Sequence, residues 1–369
     1  MSLLESLIVV SEKAGNIARL CRQEQHLFDL LVQEKTSDES NPRFVQDFKT
    51  LADVLIQETV RYDIGLEFPD LKSCIKGEED NVFCNTIGET VVVQIEKNVD
   101  ATANVLKKVL DDDDVAAKLL AEEVHKKVLL NDVNVLVDFL PKNINLDYDN
   151  LGIWIDPIDS TAEYINAQET IDEHGIYVSG LRCVTVLIGV YDKPSGTPII
   201  GVINQPFFKM TDGQWQGRCL WGLAQQNCRL SSVLVQCLEK PTNLICISSS
   251  EDNDIKENLK AKGFNLVEAA GAGYKILMVI TQQVDAYLLS KSSTFKWDTC
   301  GPQAILKSIG GDIIQYDMAI KRMSKPLDYV SDNDDTRSVN KIVKYCNTGG
   351  IVAYNEKVIC NLVQEALSR

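Results

Sequence analysis

Apolar residues recur at helical spacing at Leu3, Leu7, Val10, Ala14, Ile17 and Leu20, and this pattern predicts a first helix over residues 3–35. A polar, helix-breaking stretch at 37–42 separates it from a second predicted helix, 44–60, with Phe48, Leu51, Ala52, Leu55 and Ile56 on one stripe. Asp53 lies beside that stripe; periodicity alone allows a solvated helix carboxylate or a functional one. Residues 90–96 read as a strand and 100–130 as helical, with the block Asp111 to Asp114 at a solvated helix junction where Asp113 or Asp114 can cap. The run Ile153-Trp-Ile155 reads as a buried strand that Pro157 should end, because proline offers no N–H to a sheet ladder. Thr161 then opens a short helix to about 167. Strands at 183–191, 198–204 and 220–224, separated by turns at 193–196 and 212–213, predict an antiparallel meander.

The pattern changes near Lys240-Pro241. Strand and helix alternate from there on: strand 244–247, helix 251–262, strand 264–267, a helix after Gly271-Ala-Gly273, strand 284–289, and a helix entered at 296–298. The fold class read from this order is α/β, more fully α+β. A domain of residues 1–240 built on an antiparallel-rich sheet is followed by a smaller α/β domain, 241–369. Residues 328–335 form an acidic loop.

Composition narrows the function. A formal charge of −16 over 369 residues argues against nucleic acid, whose binding rests on cationic contacts to phosphate. It also means that a phosphorylated ligand needs local cations. The longest apolar stretches fall well short of a membrane span, and the N-terminus lacks the basic and small-residue features of a signal peptide. Eleven cysteines with no C-x-x-C pair read as reduced thiols, so a cytoplasmic protein is expected. Three histidines and no G-x-S-x-G elbow leave a serine hydrolase unsupported.

Four short motifs carry the candidate chemistry. Asp156-Pro-Ile-Asp159-Ser-Thr161 puts two carboxylates at a strand end and hydroxyls at a helix start. Gly77-Glu-Glu79 sets two acids side by side in a turn, a pattern that by itself is most simply solvated. Gly271-Ala-Gly-Tyr-Lys275 sets small residues before a helix with a lysine in its first turns, which suits phosphate or a close-packed turn equally. Phe295-Lys-Trp-Asp298 puts a carboxylate at a helix start, where an ordinary N-cap is the plain reading. Were these acids to converge, each pair at 4 Å would repel by about 4 kcal/mol at an effective dielectric of 20, which only cations or protonation could relieve. Oxygen ligands without a Cys/His set favour magnesium over zinc.

Ile155-Asp-Pro-Ile-Asp-Ser-Thr161 and Lys296-Trp-Asp-Thr-Cys300 resemble the two signatures of the lithium-inhibited, magnesium-dependent phosphatases of the inositol monophosphatase and fructose bisphosphatase superfamily. Gly77-Glu-Glu79 and the Asp53 helix fall in the expected order. The resemblance implies a layered αβαβα sugar-phosphatase fold and a site holding two or three magnesium ions, with lithium as inhibitor. Glu78, Asp156 and the Ile158 carbonyl would hold one ion, and Asp156, Asp159 and Asp298 a second. Glu79 and Asp53 would support a weaker position. Thr161, with Glu78 or Asp53, would orient the attacking water, and the N–H groups of Ser160 and Thr161 would receive phosphate. Gly271, Ala272, Lys275 and Ser293 would contact the inositol and its other phosphates, with Asp159 close by. Ser160, Tyr274 and Ser293-Thr-Phe295 are similar to the branch that removes the 1-phosphate from inositol 1,4-bisphosphate and inositol 1,3,4-trisphosphate. The bisphosphate nucleotidase branch, which shares Gly201-Val-Ile-Asn-Gln-Pro206, is the alternative. Relatives carry a lysine shortly after the strand near 247, where this chain has Ser248-Ser-Ser-Glu-Asp252. A monomer acting on small inositol polyphosphates is expected, and charge and apolar-run length argue against nucleic-acid or membrane partners.

Overall fold

The structure is a computed structural model that describes residues 1–23, 32–35, 48–85, 88–225, 227–234, 242–330 and 344–368. Its first sheet has six strands: β1 (Ile75–Gly77), β2 (Leu151–Asp159), β3 (Thr185–Asp192), β4 (Pro198–Thr211), β5 (Gln214–Gln225) and β6 (Cys228–Ser231). They lie in simple spatial order from β6 to β1; all neighbours are antiparallel except β1 and β2, which run parallel. The second sheet holds β7 (Leu244–Ile247), β8 (Asn265–Glu268), β9 (Ala286–Leu289), β10 (Asp312–Gln315) and β11 (Ile351–Tyr354) in the order β8-β7-β9-β11-β10. β8, β7 and β9 are parallel, and β11 is antiparallel to both of its neighbours.

Strand alternation assigns the faces of both sheets. Ile153, Ile155, Ile188, Val190, Ile200 and Val202 pack against Leu4, Leu7 and Ile8 of helix α1 (Leu3–Gln23) and Val60 and Ile64 of helix α2 (Leu51–Glu67). The opposite side of the same sheet, with Trp154, Leu187 and Ile203, meets a second core. That core is shared with the inner face of the second sheet (Tyr287, Leu289, Ile351) and with helices α7 (Ala272–Ile280) and α8 (Lys296–Ser308). The outer face of the second sheet, with Ile245, Leu288 and Val352, is covered by helices α6 (Asn253–Ala261) and α9 (Lys357–Leu367). The layers therefore run αβαβα. Helices α3 (Val99–Val109) and α4 (Asp114–His125) and the short α5 (Thr161–Asn166) add to the first half. The buried central layer draws on both halves of the chain.

α8 can approach the first sheet closely because three glycines lie in register on adjacent strands, Gly189, Gly201 and Gly222. A Cβ at Gly201 would fall 1.9 Å from the Gly301 carbonyl oxygen, and one at Gly189 2.3 Å from the Gly301 nitrogen. Backbone therefore meets backbone, and the middle of α8 is seated against β3, β4 and β5, beside the strand that carries Asp156. Aromatic contact adds to this: Trp154 and Trp297 lie 6.1 Å apart, and Trp297 stacks on Phe295 at 4.8 Å.

Several predicted boundaries move. Residues 32–34 pair as a strand with residues 48–50, so the first helix does not reach 35 and the second does not begin at 44. Thr50 ends that strand and caps α2 reciprocally with Asp53, which sets the helix start at Leu51. The segment 100–130 contains two helices, broken where Asp111 and Asp112 take φ of +50° and +67°, with Asp113 capping the second. The expected division at residue 240 and the part of the acidic loop from 331 to 335 lie outside the described residues.

Candidate active site

β2 does not stop at Pro157. It continues to Asp159, whose partner is Thr185, after a break in register with β3 between Asp156 and Asp159. One rung is lost at the proline and pairing then resumes. The break matters because residues three apart on a regular strand point to opposite faces, and an irregularity re-aims one of them. Carboxylate oxygens of Asp156, Asp159 and Asp298 all lie within 4.8 Å of one another. All three residues are buried, at 1%, 6% and 7% exposure.

Each acid is held from outside the cluster. Asp298 is the third residue of α8 rather than its cap, and accepts from the Phe295 N–H at 2.7 Å. Asp159 accepts from the Ala272 N–H at 3.2 Å, the Gly273 N–H at 3.0 Å and the Thr185 hydroxyl at 3.2 Å. Glu79 is fixed through its backbone: buried Gln57 donates to its carbonyl at 2.5 Å and accepts from its N–H at 3.0 Å. A Cβ at Gly77 would lie 1.9 Å from Gln57 Oε1, so this brace needs glycine there. Glu78 donates its N–H to the Ile155 carbonyl at 3.2 Å, tying the Gly77-Glu-Glu79 turn to β2.

Asp53 is fully buried, which removes the solvated reading. Its Oδ2 takes the Thr50 N–H at 2.7 Å and the Thr50 hydroxyl at 2.5 Å, while Oδ1 lies 3.4 Å from Thr161 Oγ1. Thr161 Oγ1 is also 3.2 Å from the Ile158 carbonyl, and its single proton can serve only one of these two acceptors at a time. Ser160 precedes α5 with φ +78° and ψ +50°, a left-handed conformation that costs a non-glycine residue about 1–2 kcal/mol.

The expected ligand-contact residues divide. Gly271 (φ +73°) and Ala272 sit beside Asp159, and the Ala272 N–H is already engaged by that carboxylate. Lys275 is 3% exposed; its Nζ donates to the Ala269 carbonyl at 3.2 Å and lies 5.0 Å from the centre of the Tyr287 ring. Its charge favours ionised Asp159 from within the core. Ser293 is 9% exposed on the loop between β9 and α8.

One residue at the site was missed in the sequence. Lys35 Nζ lies 2.6 Å from Glu78 Oε1 and 2.7 Å from Glu79 Oε1, with only 4% of its side chain exposed. A lone lysine at the end of a predicted helix gave no signal of this; the short strand pairing brings it in.

Electrostatically the cluster is unstable as free anions. Burial first, then Glu78, Asp159 and Asp298, raises the Asp156 carboxyl well above the ordinary range; burial and Asp159 do the same to Asp298. Asp159 is raised to about 6 by burial, against the pull of Lys275 and Thr185. Asp53 is raised to about 8 by burial and Glu79, against Thr50 and Lys35. Asp156 Oδ1 is buried with no protein hydrogen-bond partner. An orphaned carboxylate oxygen, all-oxygen donors and surplus negative charge together fit a hard divalent cation.

The model of the inositol monophosphatase family matches residues 75–344. Inositol polyphosphate 1-phosphatase of Mus musculus is 38% identical over 100% of this chain and 96% of its own length. The 3'(2'),5'-bisphosphate nucleotidase 1 of Rattus norvegicus is 27% identical, covering 88% of each chain. The crystal structure of an IMPase/NADP phosphatase complexed with Mg2+ and phosphate matches with a TM-score of 0.51 and 12% identity, covering 95% of this chain and 90% of that one, a likeness of fold alone. The signatures, the layered fold and a match across most of the chain lead to one conclusion: this chain belongs to the inositol monophosphatase family.

Proposed function

We propose that the chain is a magnesium-dependent phosphomonoesterase that removes the 1-phosphate from inositol 1,4-bisphosphate and inositol 1,3,4-trisphosphate and is inhibited by lithium. The observation that carries the chemistry is the triad of buried carboxylates within 4.8 Å, one oxygen of which has no protein partner. The 38% identity to a 1-phosphatase, against 27% to a nucleotidase, supports the substrate. A cytoplasmic monomer remains part of this reading; no helix among the described residues is long and apolar enough to cross a membrane.

In this reading Glu78, Asp156 and the Ile158 carbonyl hold one ion, Asp156, Asp159 and Asp298 a second, and Glu79 and Asp53 flank a third, weaker position. Bound magnesium supplies a lowered pKa for water and neutralises charge on the phosphoryl oxygens. The chain's own groups do the positioning. Thr161 Oγ1 passes its proton toward Asp53 and so turns a lone pair to the attacking water. The N–H groups of Ser160 and Thr161, presented by the left-handed turn at Ser160, face the phosphoryl oxygens. Lys275 balances Asp159 from behind, and Ser293 borders the ring.

Phosphate release with magnesium is the direct test. Inositol 1,4-bisphosphate should be hydrolysed and adenosine 3',5'-bisphosphate left intact; turnover of the nucleotide alone moves the chain to the nucleotidase branch. Thr161→Ala should lower kcat by about 100-fold or more, the usual worth of a positioned proton-transfer group, while the far-UV spectrum is kept.

A pH experiment probes the cation independently. Folded values of about 8 for Asp53 and about 6 for Asp159 exceed the ~3.9 of an unfolded aspartate. Between those values the folded, metal-free chain binds more protons than the unfolded chain, so it loses stability as pH rises. In EDTA the Tm should fall from pH 5 to pH 8, and magnesium should raise it more at pH 8 than at pH 5. A Tm in EDTA that rises over that range would contradict the burial of these acids.

A further inference from the structure

The parallel part of the second sheet contains a switch point. β7 connects through α6 to β8 on one side, and β8 connects through α7, passing β7, to β9 on the other. Open sheets leave a ligand crevice at the carboxyl end of such a strand. Both walls of this crevice already belong to the site. On one side the end of β8 leads to Gly271, where a Cβ would lie 3.1 Å from Asp159 Oδ2. On the other, the end of β9 leads through residues 290–295 to Asp298. The floor between them, residues 248–252 after β7, contributes nothing to the mechanism above.

Two lysines from outside converge on that floor. Lys291, from the β9 loop, donates its Nζ to the Ser250 carbonyl and lies 3.7 Å from Asp252 Oδ1. Lys256, from α6, donates to the Ser249 carbonyl at 3.2 Å and to Glu268 Oε1 at 2.6 Å. The two loops are joined beneath by Glu251, 4% exposed, whose carboxylate takes the Ser290 N–H at 2.9 Å and the Ser290 hydroxyl. Lys291 is thus mounted on a rigid base while its side chain is 41% exposed, and its carboxylate partner Asp252 is 68% exposed. An ion pair this open is worth little to the fold, and a phosphate dianion competes well for such an ammonium. In a chain of charge −16, cations mounted between two walls of the active site are what a multiply charged ligand requires.

We infer that Lys291, backed by Lys256, receives a second phosphate of the substrate, one that is not hydrolysed, and so selects polyphosphorylated over monophosphorylated inositols. This rests on the phosphatase reading given above.

The test compares kcat/KM for inositol 1,4-bisphosphate with that for inositol 1-phosphate, using the full chain with magnesium. Lys291→Glu should lower the ratio of the two by about tenfold or more, mostly through the KM of the bisphosphate. The exchange variant Asp252→Lys/Lys291→Asp, which keeps the pair but moves the cation across it, should recover most of the loss. A folded Lys291→Glu protein with the wild-type ratio overturns the assignment, and so does a wild type with no preference for the bisphosphate. A wild type that hydrolyses neither compound overturns the phosphatase reading itself, and this inference with it.

Discussion

Asp156→Asn is expected to lower kcat by about three orders of magnitude and, in EDTA, to raise the Tm. The two effects have one cause. Asp156 is the acid shared by both proposed magnesium ions, and loss of several kcal/mol of charge stabilisation costs a factor of ten per ~1.4 kcal/mol. Without metal the same carboxylate is a liability. It is 1% exposed, crowded by Glu78, Asp159 and Asp298, and raised well above its ordinary range. An amide of equal size removes that repulsion and can donate to a neighbouring carboxylate. Activity across a magnesium titration, with calorimetry in EDTA, checks both halves. Retention of full rate would remove Asp156 from the metal site; a lower Tm in EDTA would mean that the acid is structural. A stability cost concentrated at the reacting groups is the usual trade at such sites.

Gly201→Ala should destabilise the fold by about 3 kcal/mol or more, at or above the top of the range for overpacking, and weaken magnesium binding as well. The new methyl would lie 1.9 Å from the Gly301 oxygen and 2.8 Å from its carbonyl carbon. Both atoms are backbone, so no side-chain rotation relieves the contact and α8 must withdraw. Asp298 rides on the first turn of that helix and withdraws with it. Gly213→Ala is the control: its φ is +77° but nothing lies within 4 Å, so only a conformational cost of about 1–2 kcal/mol is expected. Thermal denaturation and magnesium-dependent Tm shifts separate the two. Equal losses in both variants would show that the glycine row does not seat α8.

The acids themselves were legible because their neighbours are local signals. Pro157, the apolar run before it and Thr161 after it mark an element junction, and Trp297-Asp298 sits at a helix start. What that reading missed is informative. Pro157 was expected to end the strand, but pairing resumes at Asp159 because a single lost rung is cheap beside a strand buried along its whole length. Lys35 was hidden inside a helical periodicity that the short pairing of residues 32–34 with 48–50 overrides. Asp53 could not be told from a solvated acid, since burial depends on what packs over a helix and not on its stripe.

The sequence by itself determined the antiparallel meander, the strand–helix alternation after residue 241, the layered α/β class, the donor chemistry and the resemblance to a family, all properties of short windows or of their order along the chain. Only the tertiary structure decided that Asp156, Asp159 and Asp298 share one small volume, that a register break turns two residues of opposite parity to the same side, and that Lys291 reaches the floor after β7. These depend on strand register and on the close seating of α8 over three glycines. Register and seating are set by contacts between residues far apart in the chain, and no local pattern encodes them.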